Sequence, residues 1–383
     1  MNENHKSKVA LVYCDSYDEN RLYSAVKQGI DLLGGFEQYI NPNDKVLLKP
    51  NILVGDPPAK ASATHPQVFR AVARLLLETH PNVAYGDSPA IGSCGQMKRA
   101  GFHKIGTELG LHLADFDQGQ DVKFPDSPFT KSFKIANGVL ESDALISISK
   151  LKTHQLSRIT GAVKNQFGCI PGLLKTEYHL WIPNAYDFCK MLVTLNLLIQ
   201  PKLYIMDGIT AMQGNGPRGG EPVPMNTLLF SNDPIALDAT AARLVALNPE
   251  HVTTSGPGEE WGLGTWKKDQ IELLGHPFDA LYNPDFDIPR KPVSSVTRTG
   301  RISFIKNWIS PRPVIDSERC VRCGMCVRAC PVSPKAVDWQ DDDKKPPLYN
   351  YKRCIRCFCC QEICPEQAIT VRTPWLGRLL FRR

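Results

Sequence analysis

Cysteine spacing carries the most specific chemistry in this chain. Two runs, CVRCGMCVRACP from Cys320 and CIRCFCCQEICP from Cys354, both follow C-x2-C-x2-C-x3-C-P. Two-residue gaps bring three thiolates to one side of a cubane. In two-cluster bacterial ferredoxins the last cysteine of each run serves the other cluster. On that pattern one [4Fe-4S] cluster takes Cys320, Cys323, Cys326 and Cys364, and a second takes Cys354, Cys357, Cys360 and Cys330. Pro331 and Pro365 then turn the chain away, and Cys359 falls outside the spacing. Zinc prefers ligands in pairs, and disulfides do not suit a cytosolic chain. Two full copies of the pattern favour clusters over both.

A second set of reactive side chains follows strand-like segments. In SISKLKTH, residues 147–154, an alternating stretch ends in Lys150, Lys152 and His154, which share one side of an extended chain. LLKPN supplies Lys49 and Asn51, AYGDSP supplies Asp87 and Ser88, and YIMDG supplies Asp207. RITGAVKNQFG reads as a short helix capped by Thr160, ending at Gly168 and carrying Lys164 and Asn165. Such a helix start beside lysines suits an oxyanion. GNGPRG, residues 214–219, matches a dinucleotide-loop pattern but does not join a strand to a helix, because GEPVP follows. It reads as a mobile substrate loop with Arg218 as an anion contact.

These groups need elements to position them. Strand-like and helix-like segments alternate through the first 274 residues: strands at KVALVYC, DKVLLKPN, NVAYGDSP, DALISISK and KLYIMDG, and helices near 20–39, 65–78, 94–109, 184–199 and 233–247. That alternation predicts an α/β body with a largely parallel sheet flanked by helices. Ligands of open α/β sheets bind beyond the carboxyl ends of the strands, where the lysines fall. Residues 275–310 read as a Pro-rich linker followed by a short amphipathic helix at RISFIKNWI, 311–372 as a C-terminal two-cluster bacterial-ferredoxin-like α+β module, and 373–383 as a basic tail. The insert between the cysteine runs reads as a surface loop.

Composition is that of a soluble globular chain, with 42% hydrophobic and 22% charged residues in 383. No apolar run is long enough for a signal peptide or a membrane span, so a cytoplasmic location is expected. From residue 311 onward there are 14 Lys and Arg against 8 Asp and Glu, whereas the first 310 residues carry 31 of each. The net +6 therefore sits on the cysteine-rich segment. This predicts an acidic electron carrier of ferredoxin or flavodoxin type as partner rather than nucleic acid. Arg319, Arg322, Arg328, Lys352, Arg353 and Arg356 interleave with the cysteines and are expected to form the docking charge.

LLKPN, GDSP, SISKLKTH, TGAVKNQFG, DGITAMQGNGP and DPIALDA, followed by the two cysteine runs, resemble the prokaryotic family called domain of unknown function 362, in its ferredoxin-fused form. The resemblance covers nearly the whole chain. It implies an iron–sulfur protein with an α/β body and supplies no substrate.

The residues themselves point to an iron–sulfur oxidoreductase. Electrons would pass through the clusters to an anionic small molecule at the rim of the body. His154 is the expected proton donor, with Lys152 and Lys164 as catalytic cations beside it. Lys49, Asn51, Asp87, Lys150, Asn165, Asp207 and Arg218 are the expected binding residues. Lys150, Lys152, His154 and Lys164 would form one anion site facing the clusters. The alternative is a non-catalytic electron-transfer or redox-sensing accessory protein. A metal-assisted enzyme using Asp87, Asp207 and His154 is a third reading, and the shortage of carboxylates beside the lysines counts against it.

Overall fold

The computed structural model describes residues 6–89, 93–293, 307–340 and 344–380. The body is built on β1 (Ser7–Tyr13), β2 (Val46–Pro50), β3 (Val83–Tyr85), β4 (His112–Leu113), β5 (Gly119–Lys123), β6 (Ser132–Ala136), β7 (Ala144–His154), β8 (Arg158–Ile159), β9 (Leu203–Gln213), β10 (Glu221–Ser231) and β11 (Ile271–Gly275). The main sheet runs β11-β1-β10-β9-β7-β2-β3-β4. β10 is antiparallel to both neighbours, and the other adjoining pairs are parallel. This is the largely parallel α/β sheet the alternation predicts, with one reversed strand.

β10, with 11 residues, is the longest of the strands that pattern reading misses. Pro222 and Pro224 look like breakers, yet both lie in its exposed first half. The register with β9 slips after Pro224, and Asn226 there has φ 51°. Glycine explains two other departures. The helix expected over 20–39 spans Glu19–Leu32 and stops before Gly34 and Gly35, at φ 97° and 90°. The helix expected over 94–109 is two, Ser93–Arg99 and Phe102–Glu108, divided at Gly101 with φ 86°.

Helices Glu19–Leu32 and Pro66–Leu77 bury Leu22, Val26, Phe69 and Val72 against Val12, Leu48 and Ile146 on one face of the sheet. On the other face Pro234–Leu244 packs Leu237 and Ala241 against Leu11, Met206 and Leu229. Ala185–Ile199 carries a third cluster around Phe188 and Leu192. The segment expected to be a linker begins inside the body: β11 pairs with β1, and Leu281, Phe286 and Ile288 are buried in the second core. The helix expected at RISFIKNWI lies mostly outside the described residues; Asn307–Ile309 is helical.

β7 and β9 each run for 11 residues, past the sheet proper, and every residue of β7 is buried. Lys150, Lys152 and His154 therefore stand on the strand rather than after it. The C-terminal segment folds as two short antiparallel strand pairs, Arg312–Ile315 with Ile369–Arg372 and Val337–Asp338 with Leu348–Tyr349. Each cysteine run turns through a loop into a short helix, Met325–Arg328 or Cys359–Ile363. Among the described residues no helix is long and apolar enough to cross a membrane.

Candidate functional site

The rim residues form one buried hydrogen-bonded network centred on Lys152. Its ammonium donates to Asn51 Oδ1 at 2.7 Å and to the Ser62 carbonyl. Asn51 Nδ2 reaches Asn165 Oδ1 at 3.1 Å, and the Asn165 carbonyl accepts from Lys49 at 2.7 Å. Lys49 pairs with Asp87 at 2.8 Å. On the other side Ser62 Oγ donates to Asp56 at 3.0 Å, and Arg218 clamps Asp56 with Nε at 2.8 Å and Nη2 at 2.6 Å. Further down β7, Lys150 pairs with Asp207 at 2.7 Å. Asp207 also accepts from the His65 backbone N–H at 2.9 Å and from the Tyr17 hydroxyl at 3.2 Å.

This arrangement corrects the expectation of a row of free cations. Lys49 is 0% and Lys150 1% exposed, and each already holds a carboxylate. A charge left unpaired in such surroundings would cost several kcal/mol, ~3–5 when one partner of a buried pair is removed. Arg218 is not on a mobile loop. It is 3% exposed, and its Nη1 donates to the Ile363 carbonyl at 2.6 Å. Asp87, Asp207 and His154 stand in separate pairs, so no metal site forms from them. The helix start near Thr160 is also filled from within. In the helix Gly161–Asn165 the first N–H groups, of Ala162 and Val163, donate to Asp238 at 2.6 and 3.2 Å. Thr160 makes no cap. Gly161, at φ 59°, leaves room that a Cβ would take, 2.2 Å from Asp238 Oδ1. Burial raises Asp238 to about 7 despite those two N–H bonds.

Lys152 differs from Lys49 and Lys150 because, among the described residues, it has no carboxylate within ion-pair distance. Burial, helped by the nearby Lys164 charge, lowers it to about 7. Lys164 is half-buried, with its ammonium 5.9 Å from the centre of the Phe167 ring. Lys175, which pattern reading overlooks because it follows no strand, is a further half-buried amine in this region. It donates to Ser88 Oγ at 3.0 Å and to the Ile170 carbonyl at 2.8 Å, and burial lowers it to about 7.

His154 meets the cysteine-rich segment directly. Its Nδ1 accepts from the Leu156 and Ser157 N–H groups at 3.0 and 3.4 Å, so the ring proton sits on Nε2, which faces Glu362 Oε1 at 3.1 Å. Burial and Lys164 push His154 down to about 4. It is therefore neutral near pH 7, not poised to titrate there. Glu362 lies between Cys360 and Cys364 in the second run, hidden by the cysteine pattern. Burial opposes its ionisation, but Lys164 and His154 prevail and hold it at about 2. Gln361 Nε2 to the Asn215 carbonyl at 2.9 Å and Gln367 Nε2 to the Arg218 carbonyl at 3.0 Å complete the seam. Its partners on the body are the end of β7 and the loop after β9.

The cysteines fit a cluster better than a single ion. None of the thirteen is in a disulfide. Cys320, Cys323, Cys326 and Cys364, three from one run and the last of the other, line one cavity with Ile315, Met325 and Ala368. Cys330, Cys354, Cys357 and Cys360 are buried beside them. Among the described residues no three His, Cys, Asp or Glu side chains gather as for one metal ion. Burial and the thiols of Cys364, Cys320 and Cys323 raise Cys326 to about 12, so ionised ligands there need a cationic centre. The two runs share a backbone. Arg322 and Gly324 have φ 57° and 70°, and Arg356 and Phe358, at the same offsets in the second run, have 61° and 64°. Left-handed turns at non-glycine positions are strained, and here they aim successive cysteines to one side. Sulfur also accepts from the Ala336 N–H (to Cys330, 3.4 Å) and the Tyr349 hydroxyl (to Cys360, 3.2 Å). Of the basic residues expected on the surface, Arg319, Arg322, Arg328, Lys352 and Arg353 are exposed, but Arg356 is buried beside Cys354.

Residues 46–243 match a domain of unknown function, DUF362, and residues 312–365 match a 4Fe-4S dicluster domain. A thylakoid-associated protein of Synechocystis sp. is 33% identical over 310 residues, which is 78% of this chain and 96% of that protein. Among solved structures, the lactate racemase apoprotein of Thermoanaerobacterium thermosaccharolyticum shares 11% identity over 61% of this chain, with TM-score 0.38, and a Thermotoga maritima protein shares 14% over 58%, with TM-score 0.34. The chain spans only 56% and 57% of those two structures. The chain belongs to the DUF362 family, and its C-terminal segment is an iron–sulfur cluster-binding domain with an electron-transfer or redox role.

Proposed function

We propose that this protein is an iron–sulfur oxidoreductase that holds two [4Fe-4S] clusters and acts on an anionic small molecule at the seam between its body and its cluster-binding segment. Cys320, Cys323, Cys326 and Cys364 would hold one cluster, and Cys354, Cys357, Cys360 and Cys330 the other. Bound there, the clusters would supply single-electron transfer. The body's own residues hold charge and protons. Lys152 and Lys164 attract the anion, with the half-buried Lys175 adding to the same field. Lys152, lowered to about 7, is the group suited to give and take a proton near neutrality. His154 fixes Glu362 in place of acting as the donor. Lys49, Asn51, Asp87, Lys150, Asn165, Asp207 and Arg218 hold Lys152 and the strand ends in position.

The observation that carries this reading is Lys152 itself, a fully buried amine without a carboxylate, one hydrogen-bonded network away from the helix Cys359–Ile363. A buried cation with no counter-charge is costly to keep, and perturbed groups of this kind cluster at functional sites. The test is anaerobic. Reduced protein is mixed with a panel of small anionic oxidants while cluster absorbance is followed. At least one should reoxidise it, and Lys152→Met should slow that reaction with iron content unchanged. Equal rates for wild type and variant with every oxidant would sink the proposal. A second reading, an electron-transfer accessory protein without turnover, is favoured by the internal pairing of Lys49, Lys150 and Arg218. It predicts reoxidation by protein carriers alone.

A further inference from the structure

Away from the seam, two chain segments of the cluster-binding region come together at the surface with their large side chains outward. Trp308, in Asn307–Ile309, is 59% exposed, and Trp375 and Leu379, on the helix Trp375–Leu380, are 60% and 55% exposed. The segments touch at Gly377. A Cβ there would meet the Ile309 carbonyl oxygen at 2.0 Å, so only glycine allows the approach. The pair is anchored next to the cysteines, since Arg356 Nη2 donates to Asn307 Oδ1 at 2.7 Å. Neither residues 307–315 nor 367–380 include an Asp or Glu, while Arg312, Arg372 and Arg378 are present, and Arg382 and Arg383 follow in sequence.

We infer that this patch is a peripheral docking surface for an anionic lipid bilayer. Indole rings favour the boundary between headgroup and acyl chain. Basic residues beside them are attracted to anionic headgroups, and one short apolar-basic element alone binds only marginally. Here the fold supplies two such elements side by side, with basic charge whose nearest acidic residues in sequence, Asp316 and Glu366, lie at the ends of the segments away from the tryptophans. The electron-transfer region would then rest against the membrane with its cysteine loops close to the surface.

The test is flotation of the cluster-loaded full-length protein with phosphatidylcholine vesicles, with and without phosphatidylglycerol. The expected result is binding only to the phosphatidylglycerol vesicles, weakened by salt. Arg378→Glu should reduce it on the order of tenfold or more, because one attraction is lost and one repulsion added. Trp375→Ser should also reduce it. Both changes lie on exposed side chains, and unchanged iron content and visible spectrum confirm intact variants. Absence of flotation with phosphatidylglycerol vesicles at low salt overturns the inference. So does binding that both variants retain in full. Retention on immobilised polyglutamate, with vesicle binding indifferent to Trp375→Ser, points to an acidic protein partner and equally overturns it.

Discussion

The body and the cluster-binding segment of this chain are stabilised by different means. The body buries four aliphatic and aromatic clusters around its sheet. Its buried charges are compensated inside the fold, as with Lys49 and Asp87, Lys150 and Asp207, Arg218 and Asp56. The C-terminal segment has little apolar side-chain volume. Its buried cluster consists of Cys326, Cys330, Cys354, Cys360 and Cys364 with Ala336, Val337, Ala368 and Ile369. So small a core supplies little burial of its own, and this segment depends on what the thiols bind. The comparison shows what the proposed function draws on: Lys152, among the described residues the fully buried lysine without a carboxylate partner, and the seam where the two kinds of core meet.

Removing iron should break the symmetry of stability most severely. With a chelator and reductant, amides of 312–372 should lose hydrogen-exchange protection while β7 and β9 keep theirs. Uniform loss over both regions would show that the body also needs the clusters. Next in size is ligand loss. On the two-cluster pattern wild type should hold about eight iron atoms per chain, and Cys326→Ser about four. Cys359→Ser should leave the count unchanged. Iron and sulfide analysis of anaerobically purified protein decides, and equal losses for both cysteines would contradict the ligand assignment.

The paired and unpaired lysines sharpen the comparison further. Lys150→Met strands Asp207 and should cost about 3–5 kcal/mol in denaturant unfolding. Lys152→Met strands no carboxylate, only the Asn51 and Ser62 oxygens, and should cost less, about 1–3 kcal/mol. Similar large losses for both would mean that Lys152 is structural. A smaller effect concerns acid. His154 is held near 4 in the fold against an ordinary 6.5, so between those values the unfolded chain binds the extra proton. Its contribution is therefore complete above about 6.5 and declines as pH falls toward 4. Wild type should lose thermal stability over that window more steeply than His154→Gln, and parallel slopes would exclude His154 as the cause. The smallest effect is electrostatic steering. Reduction by an acidic carrier should slow as salt rises, and Arg328→Gln should flatten that dependence while Arg356→Gln, buried, should not.

The sequence by itself determined the α/β alternation, the cysteine pattern and the lysines, asparagines and Arg218 of the buried rim network, though not its Asp56, Ser62, Tyr17 and His65. The legible features depend on local spacing, which strands and tight loops translate directly into direction. It did not determine which cations were free. Lys49 and Lys150 read the same as Lys152, because a carboxylate partner 38 or 57 residues away leaves no local mark. The same holds for Asp238, which fills the helix start 76 residues earlier, and for Glu362, whose partner His154 lies 208 residues away. Only the closed fold brings these groups together, and at contact distance in a dry interior it is the partner, not the residue type, that sets charge and proton affinity.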